Sequence, residues 1–357
     1  MVKIHAVLEK ALSGGRLDEA EGTALLASDE VLLVGRAADT IRRRRHPEGL
    51  VTFVIDRNIN YTNVCVSRCR FCAFYRSAGE REAFVLDYGQ ILAKVRELVD
   101  LGGTQVLIQG GLHPDLPLDY YLDMLRAIKR EFPQVQVHSF SPPEIVHFSR
   151  RFGYTVRDML VLLREAGLDS LPGGGAEILV DRVRREISPA KIGWREWMDV
   201  MRQAHALGMR TTATMMFGAV ETLEERVRHM IRLRDLQDET GGFTAFIPWS
   251  FQPSNTHLGG SGSTALDYLK TLAVARLVLD NFDNLQCSWV TQGPKVAQVA
   301  LTFGANDFGS TMLEENVVRA AGACHRVPLE EMLHVIRDAG FTPAQRATDY
   351  TVLRTWD

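Results

Sequence analysis

Over residues 17–27 and 29–45 apolar side chains return every three or four positions, which predicts amphipathic helices. Gly14-Gly15 separates them from residues 1–13. From Val51 the texture changes. Short β-rich runs alternate with longer amphipathic stretches, the pattern of parallel βαβ units. The strands expected are 59–63, 105–109, 135–139, 168–171, 211–217, 244–249, 285–290 and 299–303. Helical stripes lie between them, such as Ile91, Leu92, Val95, Leu98 and Val99, or Tyr121, Leu122, Leu125 and Ile128. These runs predict an α/β fold, a TIM-type (βα)8 barrel with an N-terminal helical extension. The extension covers 1–50, and the barrel with its C-terminal helices covers 51–357. A six-strand partial barrel is the alternative should the last two strands fail.

This layout also places the chemistry. Ligand sites of such barrels lie on loops after the C-terminal strand ends. The polar and glycine-rich segments follow the strands here: 65–72, 110–115, 141–144, 173–177, 252–256, 292–293 and 304–310. They would open onto one face as one composite site.

Composition narrows the function classes. The 357 residues are 46% hydrophobic with net charge −3, enough for a large core. The single arginine run, 42–45, falls in an expected helix, so nucleic acid is not an expected partner. No apolar run approaches the roughly 18 residues of a membrane span. Residues 1–12 lack a signal-peptide pattern. A cytoplasmic location with no membrane partner is therefore expected.

Five cysteines are too few and too uneven for a disulfide framework. Cys65, Cys69 and Cys72 form a C-x3-C-x2-C run. Three thiolates can bind three irons of a [4Fe–4S] cube and leave the fourth iron open. The amino and carboxylate groups of S-adenosylmethionine could chelate that iron. A zinc site would want a fourth ligand, and His46 and His113 stand at no finger spacing. Cys287 and Cys324 lack clustered partners and read as small hydrophobes.

On this motif the chain resembles the radical SAM superfamily, which implies a [4Fe–4S] cluster and S-adenosylmethionine as cofactors. Phe71 matches the aromatic residue before the last cysteine, near the adenine. Gln109, Gly110 and Gly111 match the glycine-rich end of the second strand, which meets the methionyl ammonium; alone, such glycines read as a turn. Ser139 and Ser141, after the third strand, are candidates for contact with cofactor or substrate, and Glu144 reads as a first-turn helix acid. Glu177, after three glycines, is a candidate for ribose hydroxyls or an ammonium, or else a helix N-terminal acid.

Segments 56–65, 72–76, 138–145, 173–179, 212–218, 235–243 and 303–311 resemble the cyclic dehypoxanthinyl futalosine synthases of the futalosine route to menaquinone. One departure is Ala219, where that group carries histidine. The resemblance implies a small-molecule substrate, dehypoxanthine futalosine. A 5′-deoxyadenosyl radical removes its ribose C4′ hydrogen, and the carbon radical then adds to the benzoate ring. Loss of an electron and a proton gives the product. Glu177, Asp307 and Tyr61 are the candidate bases. A flavodoxin or ferredoxin would donate the electron for initiation. Aminofutalosine synthase or deazaflavin (Fo) synthase chemistry is the alternative within the superfamily. A structural iron–sulfur or zinc protein is the alternative outside it.

Overall fold

The computed structural model describes residues 3–356; Met1, Val2 and Asp357, at the outer ends of the two expected units, lie outside it. Helices Ile4–Leu12, Glu19–Ala27 and Val31–Arg45 come first. Asp18 starts the second with a capping box: its carboxylate accepts from Glu21 N at 2.8 Å, and Glu21 accepts from Asp18 N at 2.9 Å. Gly22 and Gly35 let these helices sit close to the body, since a Cβ on either would overlap Val227 or the Phe303 ring.

The strands are β1 (Leu50–Val54), β2 (Asp56–Ile59), β3 (Gln105–Ile108), β4 (Gln136–Ser139), β5 (Ser170–Leu171), β6 (Arg210–Phe217), β7 (Phe243–Ser250), β8 (Asn284–Leu285), β9 (Asp307–Ser310), β10 (Thr342–Arg346) and β11 (Val352–Thr355). β2 to β8 form one parallel sheet in chain order. β1 and β2 are one run of chain interrupted only at Ile55. β1 pairs in parallel with β9, and β9 meets the end of β8 through the bridge Gln286–Asp307. The Asn306 N–H donates to the Leu285 carbonyl and the Cys287 N–H to the Asp307 carbonyl. The ring therefore closes with eight strand positions, as a (βα)8 barrel.

Three expectations shift. The first strand ends at Ile59, so 60–63 is already loop. Its polar residues Asp56 and Asn58 face inward and hide the strand from an apolar pattern. Residues 299–303 are not a strand. Pro294, after Gly293, opens a helix to Ala300 that buries Ala297 and Ala300 on one face. The eighth strand is Asp307–Ser310, expected as loop. The seventh is only Asn284–Leu285 and gives way to the helix Trp289–Gln292.

β10 runs beside β1 at the N-terminal end of the barrel, with Leu50 opposite Thr342, and β11 folds back on it. The turn between them closes the barrel floor, where Ala347, Thr348 and Asp349 lie against Gln136, Ser170 and Arg210 at the strand starts. Among the described residues no helix is long and apolar enough to cross a membrane.

Candidate active site

The cysteine loop leaves β2 at the C-terminal rim. Its base is a small clasp: Cys65 N donates to Arg76 O at 3.1 Å and Arg76 N to Asn63 O at 2.8 Å. The Arg76 guanidinium also ties the carbonyls of Ala73 and Tyr75. Farther out, Val66 N binds Leu112 O at 3.0 Å, Arg70 N binds Ile187 O at 2.8 Å, and Leu258 N binds Arg70 O at 2.8 Å. The loop is thus fixed by segments after β3, β5 and β7.

All three thiols are free, with Cys69 buried and Cys65 and Cys72 half-buried. Burial pushes the Cys69 thiol up to about 12, against the pull of Lys191. Such a thiol stays protonated near neutrality unless a metal takes the proton's place. Among the described residues no three or more His, Cys, Asp or Glu converge on one metal ion. A zinc site needs that convergence. A cube does not, because each cysteine takes a different iron. The donor set of three thiols fits a [4Fe–4S] cluster.

Gly110 and Gly111 follow β3. A Cβ on Gly111 would overlap the Val64 carbonyl, and one on Gly110 would overlap the Tyr61 ring. Both glycines therefore allow the cysteine loop to lie against the strand end. Behind them Glu144 is a buried fastener. Its Oε1 accepts from the Tyr61 hydroxyl at 2.8 Å and Gly110 N at 3.1 Å. Its Oε2 accepts from Ser141 N at 2.8 Å and Ser141 Oγ at 2.6 Å. Glu144 does more than cap a helix, and sequence spacing gave no sign of its link to Tyr61. Tyr61 is corrected as a candidate base. Burial first, then Glu144, push its phenol well up. Its ring packs among Tyr120, Tyr121 and Phe140, behind Gly110.

The glycine run after β5 threads between neighbours. A Cβ on Gly174 would overlap the Gln109 amide, and one on Gly175 would overlap Pro143. The run ends at Glu177, a non-glycine residue at φ +41°. Lys191 donates to Glu177 Oε1 at 2.9 Å, Arg184 stands 3.5 Å from Oε2, and the Lys191 ammonium lies 5.2 Å from the centre of the Phe71 ring. Lys191 escaped the sequence analysis because it stands 119 positions after Cys72 (191 − 72) and in no motif.

A cavity of about 280 Å³ occupies the barrel interior, from Trp249, Gly174 and Glu177 at the rim to Arg346 and Thr348 at the floor. Barrels of this type usually fill their centre with bulky branched side chains. Here the centre is open: Asp56, Asn58, Gln105, Gln109, His138, Thr212, Thr214 and Ser310 line it beside apolar Val54, Leu107, Ile247 and Trp249. A smaller apolar recess joins Phe71 and Cys72 to the shared wall residue Trp249, so cysteine loop and cavity meet. A roomier cleft of about 370 Å³, among Arg57, Glu314 and Arg326, touches none of the loop cysteines.

A sequence profile of the radical SAM superfamily matches residues 59–233, and that of the CofH/MqnC C-terminal region matches 240–356. The chain is 50% identical to a cyclic dehypoxanthine futalosine synthase of Halalkalibacterium halodurans, over 100% of this chain and 96% of that one. The chain belongs to the radical SAM superfamily. It is also 45% identical to a cyclic dehypoxanthine futalosine synthase of Streptomyces coelicolor, over 99% of this chain and 90% of that one. An aminodeoxyfutalosine synthase of Thermus thermophilus is 42% identical, over 99% and 97%. The hydrogenase maturase HydG of Carboxydothermus hydrogenoformans shares the fold at TM-score 0.75 and 16% identity, over 97% of this chain and 80% of that one.

In this radical SAM enzyme the remaining candidates fall into two groups. Gln109 and Glu177 line the cavity, and Phe71 and Cys72 line the adjoining recess. Ser139 and Asp307 do not line the cavity. Ser139 is the strand neighbour of inward-facing His138, so its buried hydroxyl points to the helix layer, where it lacks a partner among the described residues. Asp307 is corrected as a candidate base: Arg346 grips it at 2.5 and 3.2 Å, and Thr52 donates to it at 2.6 Å. At Ala219, the Gly218 and Ala219 N–H groups bind Glu221 at 2.6 and 3.0 Å, a turn that needs no histidine.

Proposed function

We propose that this chain cyclises dehypoxanthine futalosine to cyclic dehypoxanthinyl futalosine, in the cytoplasm, with a flavodoxin or ferredoxin as electron donor. The hollow barrel beneath the cysteine loop carries the reading, supported by full-length likeness to synthases of that name. Cys65, Cys69 and Cys72 would hold the cluster. Lys191, with Phe71, Gln109 and Glu177, would receive S-adenosylmethionine, the Lys191 ammonium lying 5.2 Å from the Phe71 ring centre. Gly110 and Ser141, held by Glu144, and Gly111, pressed against Val64, would shape this cofactor region with Ser139. With the cluster reduced, the bound S-adenosylmethionine supplies a 5′-deoxyadenosyl radical able to take the substrate's C4′ hydrogen.

The chain's own task is orientation and shielding. The barrel wall would keep the benzoate ring against the ribose carbon, converting an encounter into a near-attack arrangement. Trp249 and the 317–318 segment would screen the radical from water. Hydroxyl and amide groups of Asn58, Gln105, Thr212 and Thr214 suit a hydroxylated sugar.

The test is anaerobic turnover of the reconstituted enzyme with dithionite, S-adenosylmethionine and dehypoxanthine futalosine. The expected products are 5′-deoxyadenosine and the cyclised compound. 5′-Deoxyadenosine without cyclised product rejects the substrate, and a colourless protein with stoichiometric zinc rejects the cofactor.

A further inference from the structure

The proposed cyclisation ends with the loss of a proton, and Tyr61, Glu177 and Asp307 are engaged by Glu144, Lys191 and Arg346 respectively. Among the described residues three carboxylates line the barrel cavity: Asp56, Glu177 and Glu315. Glu177 is ion-paired with Lys191 at 2.9 Å. Glu315 accepts the backbone N–H groups of Val317, Val318 and Arg319 at 2.9, 2.9 and 2.8 Å. Among the described residues the Asp56 carboxylate has neither an ion pair nor backbone donors, and only two side chains bind it. Gln105 Nε2 gives one hydrogen bond at 2.9 Å and the Ser310 hydroxyl gives another.

We propose that Asp56 is the catalytic proton acceptor of this reaction, taking the ring proton released when the cyclised radical regains aromaticity. This rests on the cyclase reading above. In the step, the C4′ radical has already formed its bond to a ring carbon that still carries hydrogen. The C–H bond then breaks. Its proton passes to the Asp56 carboxylate. Of the three electrons involved, two restore the ring's π bond and one leaves to a one-electron acceptor of the iron–sulfur or flavin class.

The surroundings suit this task. Burial raises the Asp56 carboxyl to about 6, while Ser310 and Gln105, and then Arg346, pull it down and Asp307 pushes it up. Arg346 is already neutralised by Asp307, so it does not fix Asp56 as a permanent anion. His138, on β4 two strands along the wall, is depressed to about 3 by burial and then by Arg346. It stays neutral and adds no charge. A carboxylate near 6 is ionised at neutral pH yet basic enough to accept a proton.

The experiment compares wild type with Asp56→Asn and Asp56→Glu. Wild type should couple 5′-deoxyadenosine to cyclised product, with product formation falling below about pH 6. Asp56→Asn should still form 5′-deoxyadenosine but lose cyclised product by about 100-fold or more, and the acid limb with it. Asp56→Glu should restore part of both. Difference infrared spectra of wild type against Asp56→Asn, without S-adenosylmethionine, should show a protonated carboxyl band that titrates near pH 6. Asp56→Asn with coupled products and an unchanged pH profile overturns the assignment alone, as does a missing infrared band. Wild type without cyclised product overturns the cyclase reading and the assignment with it. Should Asp56→Asn fail to load its cluster, Asp56→Glu and the infrared titration decide.

Discussion

The Tyr61 hydroxyl donates to Glu144 Oε1 at 2.8 Å, and through that bond the residue just beyond β2 is tied to the first turn of the helix Pro142–Phe152. The same carboxylate receives Gly110 N and both polar groups of Ser141. Tyr61→Phe removes one of four donors and should cost about 1 kcal/mol of stability with turnover retained. Glu144→Gln turns an amide donor toward either Ser141 or Tyr61 and Gly110, and should cost about 1–3 kcal/mol. Urea unfolding measures both. A hundredfold loss of turnover in Tyr61→Phe would restore it as a base.

Gly111→Ala should disturb the cluster rather than the fold. Its Cβ would press on the Val64 carbonyl and the Cys65 side chain. Iron and sulfide per chain after reconstitution should fall well below wild type, while far-ultraviolet circular dichroism stays the same. Full iron loading would show that the loop can move aside.

Cys69→Ala should abolish iron loading and turnover together. Cys324→Ala, at an exposed thiol outside the loop, should leave both intact. Iron content in the two variants is the comparison. Retained turnover in Cys69→Ala would contradict the ligand set.

Arg346→Met leaves Asp307 fully buried without its cation. Breaking such a pair should cost about 3–5 kcal/mol. Equilibrium unfolding should show it, and a loss below 1 kcal/mol would mean that water reaches the barrel floor.

His229 is fully buried, and burial depresses it to about 3. Its Nδ1 accepts from Leu179 N at 2.9 Å. In the unfolded chain it binds a proton below about pH 6.5, whereas in the folded chain it does not until about pH 3. Its contribution is therefore complete above 6.5 and is lost as pH falls toward 3. His229→Gln should gain about 2 kcal/mol relative to wild type on going from pH 7 to pH 5. Paired urea midpoints at the two pH values test the sign, and an unchanged difference would rule the histidine out.

Some of this protein lies open in its sequence. Cys65, Cys69 and Cys72 need only each other and one loop, so eight consecutive residues disclose the cofactor. Strands β3, β6 and β7 are apolar or β-branched enough for local pattern to find them, and loops after strand ends follow from barrel topology. Tertiary structure decided what depends on distant partners. β9 was missed because Asp307 and Ser310 gain their strand identity from Thr52 and Val54. Asp56 looks like any aspartate until Ser310, 254 positions away, and Gln105 close over it. Asp307 and Tyr61 carry the right chemistry for a base, yet Arg346 and Glu144 engage them. Local spacing determines which groups a loop presents. A side chain's charge, partners and access to substrate are set by what long-range packing brings against it.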